Sequence, residues 1–286
     1  MTIRDRSSIL FNMNKLSNAK RAQILGMLVE GMSMRATSRL ADVSINTVTK
    51  LLIDVGQAAS DYQDRAFVKL KCKRIQVDEI WAFVGSKQKN TSAAGKALGM
   101  GDVWTWTAID ADTKLIPSWF VGGRDAASAH IFINDLEARL AHRIQLTSDG
   151  HKVYLQAVED AFGGVVDYAM LVKHYGTAPG GNTTRYSPAE CIGITVGTVA
   201  GRPDKKHVST SYIERSNLTL RMSCRRFTRL TNGFSKKVEN HAHAVALHMM
   251  FYNFGRIHKT LRVTPAMQAG IADHVWTLEE IAALAP

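Results

Sequence analysis

Cysteine is scarce in this chain: there are three in 286 residues, Cys72, Cys191 and Cys224. Their number is odd, they lie far apart and no two form a C-x-x-C pair, which argues against a disulfide framework and against a cysteine-built zinc finger. Reduced thiols in a cytoplasmic protein are expected. No stretch approaches 18 uncharged apolar residues, so no membrane-spanning helix is expected. The N-terminus lacks the long apolar core of a secretory signal. There is no internal repeat and no low-complexity segment. G-x-S-x-G is absent, and no cysteine stands beside a local histidine motif, so no nucleophile triad is supported.

Charge is abundant and uneven. The formal net charge is +11, which points to a polyanionic partner. Residues 1–74 hold 13 Lys/Arg against 6 Asp/Glu, residues 75–201 hold 10 against 13, and residues 202–237 hold 10 against 2. Two basic blocks therefore flank an acidic middle. That pattern suits a protein that grips nucleic acid in two places and holds cations between them. With 45% hydrophobic residues, the chain can also build a substantial core.

Residues 1–14 read as a loose leader. Three helices are expected after it, over about 18–30, 34–40 and 45–55, with Ser17 and Ser44 as N-caps and Gly31 ending the first. A short turn separates the second from the third, which is the pattern of a helix-turn-helix. Asn46, Thr47, Thr49 and Lys50 lie on the polar face of the third helix, where side chains can reach phosphates or base edges. Residues 56–73 read as a helical, polar connector.

A strand rich in β-branched and aromatic residues is expected over 74–84. It carries Asp78 in its middle, and an isolated carboxylate there is costly to bury without something to neutralise it. Glu79 is expected on the opposite face of the strand and outside any site built on Asp78. Next come a polar loop over 86–101, a strand over 103–110, a turn at 110–113 and a third strand over 115–121 with Pro117 at an edge or bulge. A helix over 125–141 leads to a strand ending in Asp149-Gly150. A helix over 152–162 and a strand over 165–172 follow. A meander followed by alternating helices and strands predicts a mixed sheet with helices packed on it. Residues 175–209 are long for a loop and read as either a functional flap or a mobile segment. Glu214 lies in the first turns of a helix. A dense basic run follows: Arg215, Arg221, Arg225, Arg226, Arg229, Lys236 and Lys237. The helix over 238–252 carries His241, His243 and His248 without any cysteine, which favours a polar or core-edge role over a metal site.

Three carboxylates thus stand at a strand middle, a strand end and a helix. The words around them, Val77-Asp78-Glu79 with Trp81, Thr147-Ser148-Asp149-Gly150 with Tyr154, and Tyr212-Ile213-Glu214-Arg215 with Asn217, resemble those of the IS1 family of bacterial insertion-sequence transposases. The segment 251–271, with Tyr252, Asn253, Arg256, His258, Leu261, Thr264 and Pro265, is similar to the signature that closes many DDE transposase domains. The resemblance covers about residues 70–286. It implies an α/β, RNase H-like mixed sheet flanked by helices over 68–265, followed by a tail over 266–286; the all-α helix-turn-helix domain and connector read from the helix pattern occupy 1–67. It also implies Asp78, Asp149 and Glu214 as catalytic and metal-binding residues for two Mg²⁺ or Mn²⁺ ions. The partner would be double-stranded DNA, both element ends and target, gripped by a homo-oligomer. Prototype members carry an N-terminal zinc finger. The cysteines for it are absent here, so end recognition falls to the helix-turn-helix. A DNA-binding regulator on an inactive scaffold and an RNase H-like nuclease are the alternatives.

Overall fold

The computed structural model describes residues 16–176, 190–228 and 231–286. The leader, the Pro/Gly-rich part of the expected flap and Arg229 lie outside them. Three helices open the chain: α1 (Asn18–Val29), α2 (Met34–Leu40) and α3 (Ile45–Ala66). Ser17, Ser33 and Ser44 cap them by accepting from the backbone N–H of Lys20, Ala36 and Thr47. Each cap satisfies one of the donors that a helix start leaves unpaired. The expected third helix ends at Val55, but α3 runs on to Ala66 without a break. Its buried stripe of Val48, Leu51, Leu52, Val55 and Ala59 carries straight through the expected connector.

The sheet has six strands: β1 (Arg74–Val84), β2 (Gly101–Asp110), β3 (Trp119–Gly122), β4 (Ile144–Ser148), β5 (Val166–Gly176) and β6 (Glu190–Ala200). Their order is 3-2-1-4-5-6. β1–β2, β2–β3 and β5–β6 pair antiparallel, whereas β1–β4 and β4–β5 pair parallel. The third strand is shorter than expected and starts only after Pro117, which has no N–H to give to a ladder. The short α4 (Ala93–Ala97) lies in the expected 86–101 loop, and the expected flap contributes β6 to the sheet edge. Helices α5 (Ala126–Arg139), α6 (Val153–Phe162), α7 (Ser211–Ser223) and α8 (Val238–Met250) accompany the sheet. A π-helical turn, Phe251–Gly255, then leads to α9 (Pro265–Gln268) and α10 (Leu278–Ala283).

One hydrophobic cluster runs from Ile24 and Leu25 through the sheet residues Val77 and Leu146 to Phe254 and Ile281, so the opening helices share the core of the sheet. The tail closes back on α1. Arg21 donates to the carbonyl of Ala285 at 3.0 Å, and Asn18 to that of Glu279 at 3.0 Å. Asn253 is fully buried and bonds both the Gln63 side chain on α3 and the Ile116 backbone before β3. This gives part of the 251–271 segment a structural role. His241 and His248 are also core residues. Burial, with Arg226 beside the first and Arg256 beside the second, pushes each down to about 3, so both are neutral at pH 7. No helix among the described residues is long and apolar enough to cross a membrane.

Candidate functional site

The site begins with the alternation of β1. Gln76 and Asp78 leave one face of the strand, towards α7. The Gln76 side-chain carbonyl accepts from the backbone N–H of Tyr212 at 2.9 Å and of Ile213 at 3.1 Å, and so serves the start of α7. Further along the helix, the Asn217 amide donates to Asp78 Oδ2 at 2.8 Å. The Thr107 hydroxyl on β2 reaches the other end of that amide at 3.4 Å. Two strand side chains thus fix the helix that carries Glu214 across the face of β1.

The pairing of β1 with the parallel strand β4 ends at Gln76–Thr147. Asp78 lies just past that point, opposite the turn that follows β4. This turn is closed by Asp149, whose Oδ1 accepts from the backbone N–H of His151 at 2.9 Å. In open α/β sheets the crevice at the carboxyl ends of strands, where connections diverge, is where ligands bind.

Asp78 and Asp149 meet there, and Glu79 joins them. Each of the three offers one carboxylate oxygen, and these oxygens all lie within 4.8 Å of one another. This corrects the expectation that Glu79, on the other face of β1, stays out of reach. The strand alternates as expected, but beyond the last β1–β4 pair the Asp149 turn is accessible from both faces. Burial, then the neighbouring Glu79, Asp149 and Glu214, pushes Asp78 up to about 7, although the Glu79 backbone N–H donates to it and acts the other way. Burial also raises Glu79. Glu214 stands outside the compact trio. Its Oε1 accepts from the Thr210 hydroxyl at 2.6 Å and from Lys173 at the far end of β5.

The donor set fits a hard divalent cation. It is all oxygen, it is crowded with negative charge, and an isolated buried carboxylate group of this kind is self-repelling.

The basic residues divide. Thr49, Arg225, Arg226 and Lys236 line one groove of about 610 Å³, joined by Arg35 of α2 and by buried His248. Among the described residues no acidic side chain lines this groove, and none of its Arg or Lys side chains has an ion-pair partner. Burial lowers Arg226. Asn46, Lys50, Arg215 and Lys237 are exposed elsewhere. Lys50 pairs with Asp54, Thr47 shares the Ser44 cap, and Arg221 is half-buried.

Sequence reasoning gave no role to Gln76, Asn217, Thr210, Lys173, Arg124 and His151. Asn217 and Tyr154 already stood inside the quoted words, and a polar side chain one turn after Glu214 was the usable signal. No protein family matches the chain, and no curated protein matches it.

Proposed function

We propose that the chain is a DNA transposase of the DDE type, similar to the IS1 family, with an RNase H-like catalytic sheet and a helix-turn-helix at its N-terminus. The observation that carries this reading is the meeting of Asp78, in the middle of β1, with Asp149, just past the end of the parallel strand β4, with the Glu214 helix pinned across β1. The strand meander followed by alternating helices and strands is the order expected of an RNase H-like domain.

Asp78, Asp149 and Glu214 would hold divalent cations, Mg²⁺ or Mn²⁺. When bound, such ions lower the pKa of a water and stabilise both the attacking and the leaving oxygen of an in-line displacement at phosphorus. The chain's own residues supply position. Asn217 and Thr107 fix the rotamer of Asp78, the Asp149 turn is closed by its own backbone, and Gln76 sets where α7 begins. Glu214, held by Thr210 and Lys173, would join the cation site by giving up Lys173, whose ammonium could then meet a phosphate.

The test is incubation of the protein with labelled DNA carrying the ends of its element, with Mn²⁺ or Mg²⁺. Nicks leaving a 3′-OH, followed by joined products, are expected. A second reading, a DNA-binding regulator, draws on one observation: Lys173 already neutralises Glu214. Tight binding to the ends without any cut product in either metal would favour it over the transposase.

The groove makes its own prediction. Replacing Arg225 and Arg226 by Ala weakens binding to element ends and to random DNA alike. It also lowers the log–log salt slope by about 0.9 for each phosphate that is no longer neutralised. Replacing Thr47 and Lys50, outside the groove, lowers the preference for ends. Fluorescence anisotropy over a salt series measures both. An unchanged slope in the double arginine variant places the DNA elsewhere.

A further inference from the structure

Behind the Asp78–Asp149 pair lies a polar cluster that the proposed chemistry leaves unused. The Glu79 side chain has no solvent exposure. Arg124, which follows β3, holds one of its oxygens: Nε lies at 3.3 Å and Nη2 at 3.2 Å from Oε2. The other oxygen, Oε1, is buried without a hydrogen-bond partner. Two more buried atoms around it are in the same condition. His151 Nδ1 lies 3.6 Å from Oε1, outside hydrogen-bonding range, and the Tyr154 hydroxyl is fully enclosed. The Tyr154 hydroxyl stands against the Glu79 carboxylate, near enough to favour its charged form against burial and to feel Asp78 and Asp149 as well, but not in the geometry of an ordinary hydrogen bond.

Buried polar atoms are nearly always paired, and one without a partner costs roughly 1–3 kcal/mol. Three such atoms around one point, beside two further carboxylates, indicate that something is meant to stand between them. A water could satisfy one or two of them. It would leave Arg124 alone to balance three converging carboxylates, whereas a cation answers both demands at once.

We propose that Glu79 is a direct ligand of a divalent cation together with Asp78 and Asp149. Arg124 holds Oε2 so that Oε1 is presented to the ion, and Tyr154 and His151 wall the site from the α6 side. Glu79 is thus a cation-binding carboxylate contributed by the opposite face of the strand. The proposal rests on the transposase reading only for the choice of Mg²⁺ or Mn²⁺ as the resident ion.

The experiment uses the full chain and two probes. Mn²⁺ binding is followed by the electron-spin resonance signal of the free ion. Tb³⁺ luminescence lifetimes in H₂O and D₂O count the waters on the bound ion. Glu79→Gln is expected to weaken Mn²⁺ binding at least tenfold and to add at least one water to Tb³⁺. Glu79→Asp keeps the charge but withdraws the oxygen by one methylene, and it should also add a water. It carries the test alone if the Gln variant does not fold, as judged by circular dichroism. If Glu79→Asp binds Mn²⁺ like wild type with an unchanged water count, Glu79 acts only through its charge and the proposal is overturned. DNA cutting by the wild type together with unaltered Mn²⁺ affinity in Glu79→Gln overturns this site alone. A Glu79-dependent water count in a chain that never cuts DNA supports the site and overturns the transposase reading.

Discussion

On the transposase reading Asp78→Asn is expected to stop DNA strand cleavage and joining, and in metal-free buffer at pH 8 to raise the melting temperature. Both effects come from one carboxylate. Charge stabilisation by a bound metal ion contributes several kcal/mol to such a reaction, so loss of a shared ligand lowers the rate by at least about a thousandfold. Without metal, the same group is a liability. Its pKa is pushed from an unfolded value near 3.8 up to about 7, by burial and by the carboxylates of Glu79, Asp149 and Glu214. Between those values the folded state binds more protons than the unfolded one, so stability falls as pH rises from about 4 through about 7. Asn is neutral throughout and should flatten that fall. Thermal melting from pH 4 to pH 8, with and without Mg²⁺, measures it. Wild type should gain stability from Mg²⁺ by mass action and Asp78→Asn should lose most of that gain. DNA binding should survive, since the groove lined by Arg225, Arg226 and Lys236 is untouched. A variant that still cuts at the wild-type rate removes Asp78 from the site.

Gly56→Ala should be among the most destabilising single-methyl additions in the protein. Gly56 lies in mid α3, where a glycine normally costs about 1 kcal/mol relative to Ala. Here it is required. A Cβ at this position would lie 2.7 Å from the His243 carbonyl oxygen, 2.8 Å from its Cα and 2.6 Å from its Cβ. Two of those atoms are backbone, so no rotamer change relieves the clash, and α3 and α8 must separate. Overpacking of this kind costs about 1–3 kcal/mol, occasionally more, and here it outweighs the gain in helix propensity. The expected loss is about 2 kcal/mol net, or a drop of about 4–8 °C in melting temperature for a chain of this size. Gly99, which has open space around it but a positive φ of 73°, serves as a milder control. If Gly56→Ala melts with wild type, the two helices do not approach as closely as described.

Much of the sheet was legible because each strand had its own pattern: a β-branched run at 74–84, aromatic alternation at 103–110, and a short apolar run ending in Asp-Gly at 144–150. Helix starts were legible through Ser17 and Ser44. The end of α3 was not. Residues 56–73 read as a separate polar connector unless the His243 backbone against Gly56 is known, and that approach joins residues almost two hundred positions apart. β6 was hidden in the same way, since Thr- and Gly-rich sequence suits a loop equally well until β5 pairs with it. In the site, Asp78, Asp149 and Glu214 could be picked out by type and position. Glu79 was set aside by correct reasoning about alternation. What that reasoning lacked was the place where the β1–β4 ladder stops, because beyond it the two faces of a strand open onto the same turn. The Lys173–Glu214 pair and the partnership of Asn217 with Asp78 depend on how α7 lies across the sheet, and no local pattern carries that.

The continuity of α3 has a consequence for dimensions. At 1.5 Å per residue its 22 residues span about 33 Å, close to ten base pairs of duplex at 3.4 Å each. The first two turns carry Asn46, Thr47 and Lys50, and the last delivers the chain to the strand that bears Asp78. On the transposase reading the helix would work as a ruler. It would fix the distance between the groups that read a sequence and the carboxylates that hold the cation, without a hinge along its length. Removing or adding a turn of α3 would carry Gly56 away from the His243 backbone and unseat the contact between α3 and α8, so that length is held by the core itself.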